Sequence, residues 1–173
     1  MIVEVARLGQ RLVRDDRVTT HAALVSRAFG ASRIYMSDTN AEIQDTMRDI
    51  NKRWGGSFDV ILEDNIKEII RQKKRSGYFI VHLTMYGYTL YDYLKSYATP
   101  DRVLIVIGAG KVPREIYDMA DYNVSVGLQP HSEIAALAVF LDHIQDKDHL
   151  DREFPGANKR IIPSRTGKCV SDL

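Results

Sequence analysis

The sequence of 173 residues has a single cysteine and no long apolar run. A lone cysteine, Cys169, excludes an intrachain disulfide and a zinc site built from cysteines. The opening MIVEVARLGQRLVRDD is too charged for a secretion signal, and no segment reaches the roughly 20 apolar residues of a membrane span. These absences predict a soluble, cytoplasmic protein. The length is that of one domain over residues 1–173.

An excess of one charge sign is also missing, because 24 basic residues face 23 acidic ones and the net charge is +1. That balance neither favours nor excludes a nucleic-acid partner. The basic residues form three clusters: Arg7, Arg11, Arg14 and Arg17; Arg71, Lys73, Lys74 and Arg75; and Lys159, Arg160, Arg165 and Lys168. The clusters could converge into one phosphate-binding face, or each could be solvated surface.

The common nucleotide-binding motifs are incomplete or absent. Gly108 and Gly110 begin a GxGxxG pattern, but Pro113 stands where its third glycine belongs. A GxxxxGK[ST] sequence does not occur, which argues against a P-loop NTPase. The five histidines have no spacing typical of metal ligands, so we predict no metal site.

Hydrophobic residues recur alternately with the period of a strand and of a helix. Strands are predicted over 2–8, 32–37, 58–62, 78–83, 103–107 and 122–126. Helices are predicted over 21–29 (after a cap at Thr19 or Thr20), 40–54, 65–73, 89–97, 114–119 and 132–144. The alternation predicts an α/β fold with a mostly parallel sheet and helices on both faces. The sequence pattern changes after Pro155, and residues 155–173 predict an appended β-hairpin.

Three predicted strands end in segments that a ligand could approach. The buried strand 103–107 runs into Gly108-Ala109-Gly110, and the others end at 126–130 and 82–87. Ligands of open α/β sheets bind at the carboxyl ends of the strands, and glycine lets them approach the backbone. We expect one pocket there, suited to a neutral or zwitterionic adenine-containing ligand. Taken alone, the Gly-Ala-Gly segment fits a tight turn equally well.

A family resemblance joins these segments. HLTMYG, GAGKVPREIYDMADYNVSVG and QPHSEIAALAVFLD resemble the cofactor-binding end of the SPOUT methyltransferases, and more closely the archaeal tRNA cytidine-56 2′-O-methyltransferases. RLGQRLVRDDRVTTHAALVSRAFGA and RWGG are similar to that family as well, so the resemblance extends from Arg7 to about Lys168. It implies a C-terminal trefoil knot, a homodimer, S-adenosylmethionine as cofactor, and methylation of the ribose of a cytidine in the tRNA T-loop.

The resemblance also implies which residues contact the cofactor. They are Leu83, Gly108, Ala109, Gly110, Lys111, Val112, Val126, Gly127, Leu128, Gln129, Pro130, His131, Ser132 and Glu133. Family members often have Glu at the position of Gly110. That departure keeps open the alternative of a non-catalytic RNA-binding protein of the same fold. A SPOUT methyltransferase for another rRNA or tRNA site is a second alternative, because one fold and cofactor can serve different targets.

The first SPOUT motif, which usually carries an Asn and an Arg, reads RVTTHAALVSR here, so the catalytic residues must be inferred. Arg17 is the first candidate, because a guanidinium can fork onto the phosphate of the acceptor nucleotide; an ion pair with Asp15 or Asp16 is its alternative. Arg27 is second. His21 could act as a base or be structural, and His82 could lie beside the cofactor or simply be buried.

Overall fold

The centre of the fold is a six-stranded sheet; the computed structural model describes residues 1–9, 16–96, 100–146 and 148–173. The strands are β1 (Ile2–Leu8), β2 (Arg33–Met36), β3 (Asp59–Leu62), β4 (Phe79–Thr89), β5 (Arg102–Gly108) and β6 (Tyr122–Ser125). They are ordered β3-β2-β1-β5-β4-β6, and every neighbouring pair is parallel. The predicted parallel sheet is confirmed, with β1 and β5 at its middle.

Helices cover both faces of the sheet, as predicted. They are α1 (Asp16–Ala28), α2 (Glu42–Trp54), α3 (Ile66–Arg75), α4 (Leu90–Ser96), α5 (Arg114–Met119) and α6 (Glu133–Ile144). The apolar residues of α1, α2, α4 and α6 join one core cluster, and those of α3 and α5 join the cluster on the opposite face. The five aliphatic residues 103–107 of β5 are each 0% exposed, because both faces of the strand are covered. No helix within the described ranges is long and apolar enough to cross a bilayer.

Helix α1 begins earlier than the sequence predicted. The expected start lay after a threonine cap, but the helix runs Asp16–Ala28 and contains both Thr19 and Thr20. Thr19 is buried, and its hydroxyl accepts a hydrogen bond from the Arg7 guanidinium at 3.1 Å. Thr19 therefore bonds a residue distant in sequence and does not cap the helix. Gly30, with φ +85°, ends the helix as predicted.

Strand β4 is longer than predicted. It was expected to end at Leu83, but it continues through Thr89. Its pairing with β6 is interrupted between Leu83 and Tyr88, both of which lie opposite Val124. The four residues between them bulge out of the ladder. Gly87, the last of these four residues, lies so close to the backbone of Asn123 that a side chain there would overlap it.

The C-terminal segment forms the predicted hairpin as a separate small sheet. Strands β7 (Lys159–Ile162) and β8 (Cys169–Asp172) pair antiparallel. The residues before it dock on the last turn of α2 and the segment that follows. The Gly56 amide donates to the Pro155 carbonyl at 2.8 Å, and the Asn158 amide donates to the Arg53 carbonyl at 3.1 Å. Arg11, Arg14 and Tyr97, which belonged to the first basic cluster and the predicted helix 89–97, lie outside the described residues.

Candidate active site

A cavity of about 830 Å³ lies between the bulge of β4 and the carboxyl ends of β5 and β6. Its volume is within the usual range for small-molecule sites. It is lined by His82, Leu83, Thr84, Met85, Tyr86, Gly108, Ala109, Gly110, Lys111, Val112, Arg114, Tyr117, Asp118, Val126, His131, Ser132, Glu133 and Ala136. The three strand ends singled out in the sequence therefore form one pocket.

Most of the residues expected to contact the cofactor line this cavity, and four do not. Gly127, Leu128, Gln129 and Pro130 form the loop between β6 and α6, outside the lining. Leu128 is 70% exposed. The Gly127 carbonyl accepts a hydrogen bond from the Ser125 hydroxyl at 2.7 Å, which fixes the beginning of this loop.

Two glycines beside the cavity have different steric surroundings. A side chain at Gly108 would overlap that of Val112, so the Val112 side chain would have to move to admit it. A Cβ at Gly127 would meet no atom within 4 Å. The protein therefore leaves space beside Gly127, whereas the space beside Gly108 is filled by Val112.

Two side chains fix the start of α6 through hydrogen bonds, and one of them comes from β1 in the sheet. The Ser132 hydroxyl accepts from the Ile134 amide at 3.1 Å and so caps the helix. The next residue, Glu133, accepts from Nε and Nη2 of Arg7 at 3.2 and 3.1 Å. Arg7 is 0% exposed. The interpretation of Arg7 as part of a phosphate-binding surface is therefore wrong: its charge is compensated by a carboxylate inside the protein.

Neither of the candidate catalytic residues, Arg17 and His21, is among the residues that line the cavity. Arg17 and His21 are exposed on the first turns of α1. The Arg7 side chain bonds both Thr19, between them on this helix, and Glu133 in the cavity wall. The start of α1 is thereby placed at the carboxyl edge of the sheet. Asp15 and the side chain of Asp16, the alternative partners of Arg17, lie outside the described part of the chain.

Arg27 is at the opposite edge of the sheet. It lies in the last turn of α1, which returns from the end of β1 to the beginning of β2. Its Nη2 donates to the carbonyls of Trp54 at 3.2 Å and Gly55 at 2.6 Å, and its guanidinium lies 4.3 Å from the centre of the Phe154 ring. These bonds satisfy the open end of α2 and hold the C-terminal segment. The geometry of one chain therefore separates Arg27 from the cavity.

His82, for which the sequence left open a place beside the cofactor or simple burial, is a buried polar group in the cavity wall. His82 is 0% exposed, and its Nδ1 lies 2.8 Å from Oδ1 of Asn123. Its ring packs edge-on against Tyr117 with the ring centres 4.6 Å apart. Burial lowers the pKa of the imidazole below its ordinary value. The spacing of 41 residues between His82 and Asn123 gives no local pattern from which this pair could have been predicted.

Among the residues that the structure describes, no group of three or more His, Cys, Asp or Glu side chains is arranged to hold a metal ion. The polar groups of the cavity are instead backbone atoms of the two loops, hydroxyls, two imidazoles and a few charged side chains. Such a lining suits an organic ligand with both polar and apolar parts.

Comparisons with known proteins agree with this arrangement. The chain resembles in fold a TrmH/SpoU tRNA modifying enzyme of A. aeolicus, with a TM-score of 0.60 and 15% identity over 88% of this chain and 79% of that one. It also resembles the SpoU methyltransferase AviRb of Streptomyces viridochromogenes, solved with the cofactor AdoMet, with a TM-score of 0.60 and 12% identity. The match covers 83% of this chain but little more than half, 56%, of AviRb.

Sequence comparison identifies the family. A family model described as tRNA ribose 2'-O-methyltransferase, aTrm56, matches residues 54–171. The tRNA (cytidine(56)-2'-O)-methyltransferase of Nitrosopumilus maritimus is 56% identical over 170 residues, which cover 98% of this chain and 96% of that protein. The chain therefore belongs to the tRNA (cytidine(56)-2'-O)-methyltransferase family.

Proposed function

We propose that this protein transfers a methyl group from S-adenosylmethionine to the ribose 2′-hydroxyl of cytidine 56 in the T-loop of tRNA. The observation that carries the proposal is the match to this family over nearly the whole chain, including all three strand ends that line the cavity. The cytoplasm, where tRNA is modified, is the proposed location.

The cavity fits S-adenosylmethionine. Its volume of about 830 Å³ accommodates a nucleoside with an amino-acid arm, and a Cβ at Gly127 would stand in otherwise open space. We propose that the Glu133 amide, at the start of α6, donates to a ligand oxygen. We propose that Leu83, residues 108–112 and residues 126–133 hold the cofactor, which when bound supplies an electrophilic methyl group on its sulfonium.

The role of the protein in the reaction is to hold and activate the acceptor hydroxyl. Positioning a nucleophile in line with the transferred group accounts for a large part of such catalysis. We propose that Arg17 binds a phosphate of the acceptor nucleotide through its forked guanidinium. Arginine remains protonated, so His21, one helical turn further along α1, is the candidate to accept the hydroxyl proton.

A homodimer and a threaded C-terminal knot are part of the same proposal. The exposed face of α4 and α6 supports the dimer. There the ring centres of Tyr91 and His143 lie 6.3 Å apart in an edge-to-face arrangement. The exposed fraction is 68% for Tyr91 and 39% for Val139. An exposed aromatic and aliphatic patch is typical of a protein interface. Substituting Tyr91 by Lys should shift the protein towards monomer in sedimentation, whereas Tyr86→Lys, on the β4 bulge, should not.

The experiment that tests the function measures methyl transfer from labelled S-adenosylmethionine to an unmodified tRNA transcript. The control transcript carries 2′-deoxycytidine at position 56 and lacks only the proposed acceptor oxygen. We expect label on the first transcript and none on the second.

Two other results would contradict the proposal in different ways. Equal label on both transcripts would indicate a methyltransferase that acts on another RNA site. Absence of label together with absence of cofactor binding by calorimetry would indicate a non-catalytic RNA-binding protein of the same fold.

A further inference from the structure

The structure leaves three buried side-chain nitrogens without a hydrogen-bond partner among the described residues: Nε of Arg33 and Nε2 of His82 and His149. Two of them have a carboxylate nearby. Nε of Arg33 lies 3.8 Å from Glu4, and Nε2 of His149 lies 3.4 Å from Asp142. Nε2 of His82 lacks even such a neighbour in the described part of the chain, and His82 is the member of this group that lines the cavity. A buried polar atom without a partner requires an explanation, because leaving it unpaired is costly.

The hydrogen bonds around His82 define which kind of partner is missing. The Asn123 side-chain amide donates through Nδ2 to the Tyr117 carbonyl at 3.0 Å, so its Oδ1 faces the imidazole as an acceptor. Nδ1 of His82 must therefore carry the proton and donate. Because burial disfavours the charged form, the ring is neutral and Nε2 is an unprotonated acceptor. The missing partner is a hydrogen-bond donor.

We propose that His82 is a cofactor-binding residue whose Nε2 accepts a hydrogen bond from an uncharged donor on the nucleoside part of S-adenosylmethionine, a ribose hydroxyl or the adenine amine. An uncharged donor is favoured because His82 is fully buried and an ammonium group would lose its hydration there. Asn123 is a positioning residue, since it selects the tautomer that leaves Nε2 free. The inference rests on the proposed function only in taking S-adenosylmethionine as the ligand of the cavity.

The test uses the full-length protein with ¹⁵N-labelled histidine rings and follows the Nε2 resonance of His82. Without ligand it should have the frequency of an unprotonated nitrogen. S-adenosylmethionine and 5′-methylthioadenosine, which keeps the nucleoside and lacks the amino-acid arm, should both shift it in the direction of an accepted hydrogen bond. Methionine alone should not. His149, the other buried histidine with an unpartnered Nε2, is the internal control and should not move.

Binding affinity provides the second measurement. His82→Phe keeps a flat ring against Tyr117 but removes the acceptor, and should weaken S-adenosylmethionine binding in calorimetry by about tenfold. Asn123→Leu should weaken it as well and allow a proton onto Nε2 in the ligand-free spectrum. The matched variant His149→Phe should bind with unchanged affinity.

Several outcomes would overturn the inference. It fails alone if saturating S-adenosylmethionine binds but leaves the His82 resonance unmoved, if only methionine moves it, or if His82→Phe and His149→Phe bind equally well. A shift caused by the tRNA transcript and not by the cofactor would assign Nε2 to the RNA instead. If the wild-type protein binds no S-adenosylmethionine, the proposed function fails together with the inference.

Discussion

Arg7 at the end of β1 and Glu133 at the start of α6 form a buried ion pair, with two guanidinium nitrogens 3.2 and 3.1 Å from one carboxylate oxygen. The Arg7 side chain is 0% exposed and that of Glu133 is 19% exposed. The same guanidinium bonds Thr19. One buried cation thus fixes the first turn of α1 and the wall of the cavity relative to each other.

Glu133→Ala should destabilise the fold by about 1.5 to 3 kcal/mol, because it removes the carboxylate that accepts two hydrogen bonds from the buried Arg7 guanidinium. Combining it with Arg7→Met should cost less than the sum of the two single substitutions, because both remove the same interaction. Urea unfolding of the four proteins of this double-mutant cycle measures the coupling. Strictly additive effects of the two substitutions would show that the pair does not act as a unit.

Arg17→Ala should lower kcat/KM for the tRNA transcript by roughly 10- to 100-fold, the effect of losing a charge-assisted hydrogen bond to phosphate. Its affinity for S-adenosylmethionine and its unfolding free energy should remain those of the wild type, because Arg17 is exposed outside the cavity. Arg17→Lys should recover part of the activity.

Arg27→Ala is the matched comparison for Arg17→Ala and should give the opposite pattern. Loss of its bonds to Trp54, Gly55 and Asn51 should lower the unfolding free energy. The fraction that remains folded should keep its activity. If Arg27→Ala removes activity at full stability, the assignment of the two arginines must be exchanged.

Gly127→Ala should leave stability nearly unchanged but weaken S-adenosylmethionine binding, because the added methyl group enters space that is empty in the protein and proposed to hold the cofactor. Gly167→Ala, in the hairpin turn, also meets no atom within 4 Å and should affect neither property. Thermal unfolding and calorimetry on both variants make the comparison. Equal cofactor affinity of the two would place the ligand away from Gly127.

The stability of the protein should fall in mild acid because of His82. The pKa of the folded imidazole is lowered by burial, whereas the unfolded chain binds the proton at its ordinary value of 6.5. As the pH falls through about 6.5, the unfolded state takes up a proton that the folded state does not, so unfolding becomes easier, by at most about 1.4 kcal/mol per pH unit. Urea unfolding of wild type and His82→Phe should differ by a constant amount above pH 7.5 and converge or cross below it. A pH-independent difference would contradict the shift.

The sequence predicted the elements of the fold well because periodicity reports which face of each segment is buried. It did not predict which strands are neighbours, and the placement of β5 between β1 and β4 is visible only in the structure. The predicted start of α1 was wrong because Thr19 bonds Arg7 instead of capping the helix. The predicted end of β4 was wrong because Tyr88 and Thr89 pair with β6 beyond the bulge.

The candidate site was predicted in outline because glycine-rich strand ends and a helix cap have local patterns. The buried charges were not predicted. In the sequence, Arg7 and Arg27 cannot be distinguished from arginines exposed to solvent, because their partners lie up to 126 residues away. His82 likewise depends on Asn123 in another strand. Long-range pairing of polar groups leaves no periodicity, so only the structure distinguishes these residues from surface ones.

The central position of the β1–β5 pair divides the chain into two contiguous halves. Seven pairs of residues, from Ile2 with Arg102 to Leu8 with Gly108, join the half of the sheet formed by β1, β2 and β3 to the half formed by β4, β5 and β6. The cavity belongs almost entirely to the second half, while Arg17 and His21 belong to the first. Exchanging residues 16–62 for those of a relative would therefore produce a chimera in which the half that carries Arg17 and His21 is new and the cavity is unaltered, with Arg7 retained on β1 as the link between them.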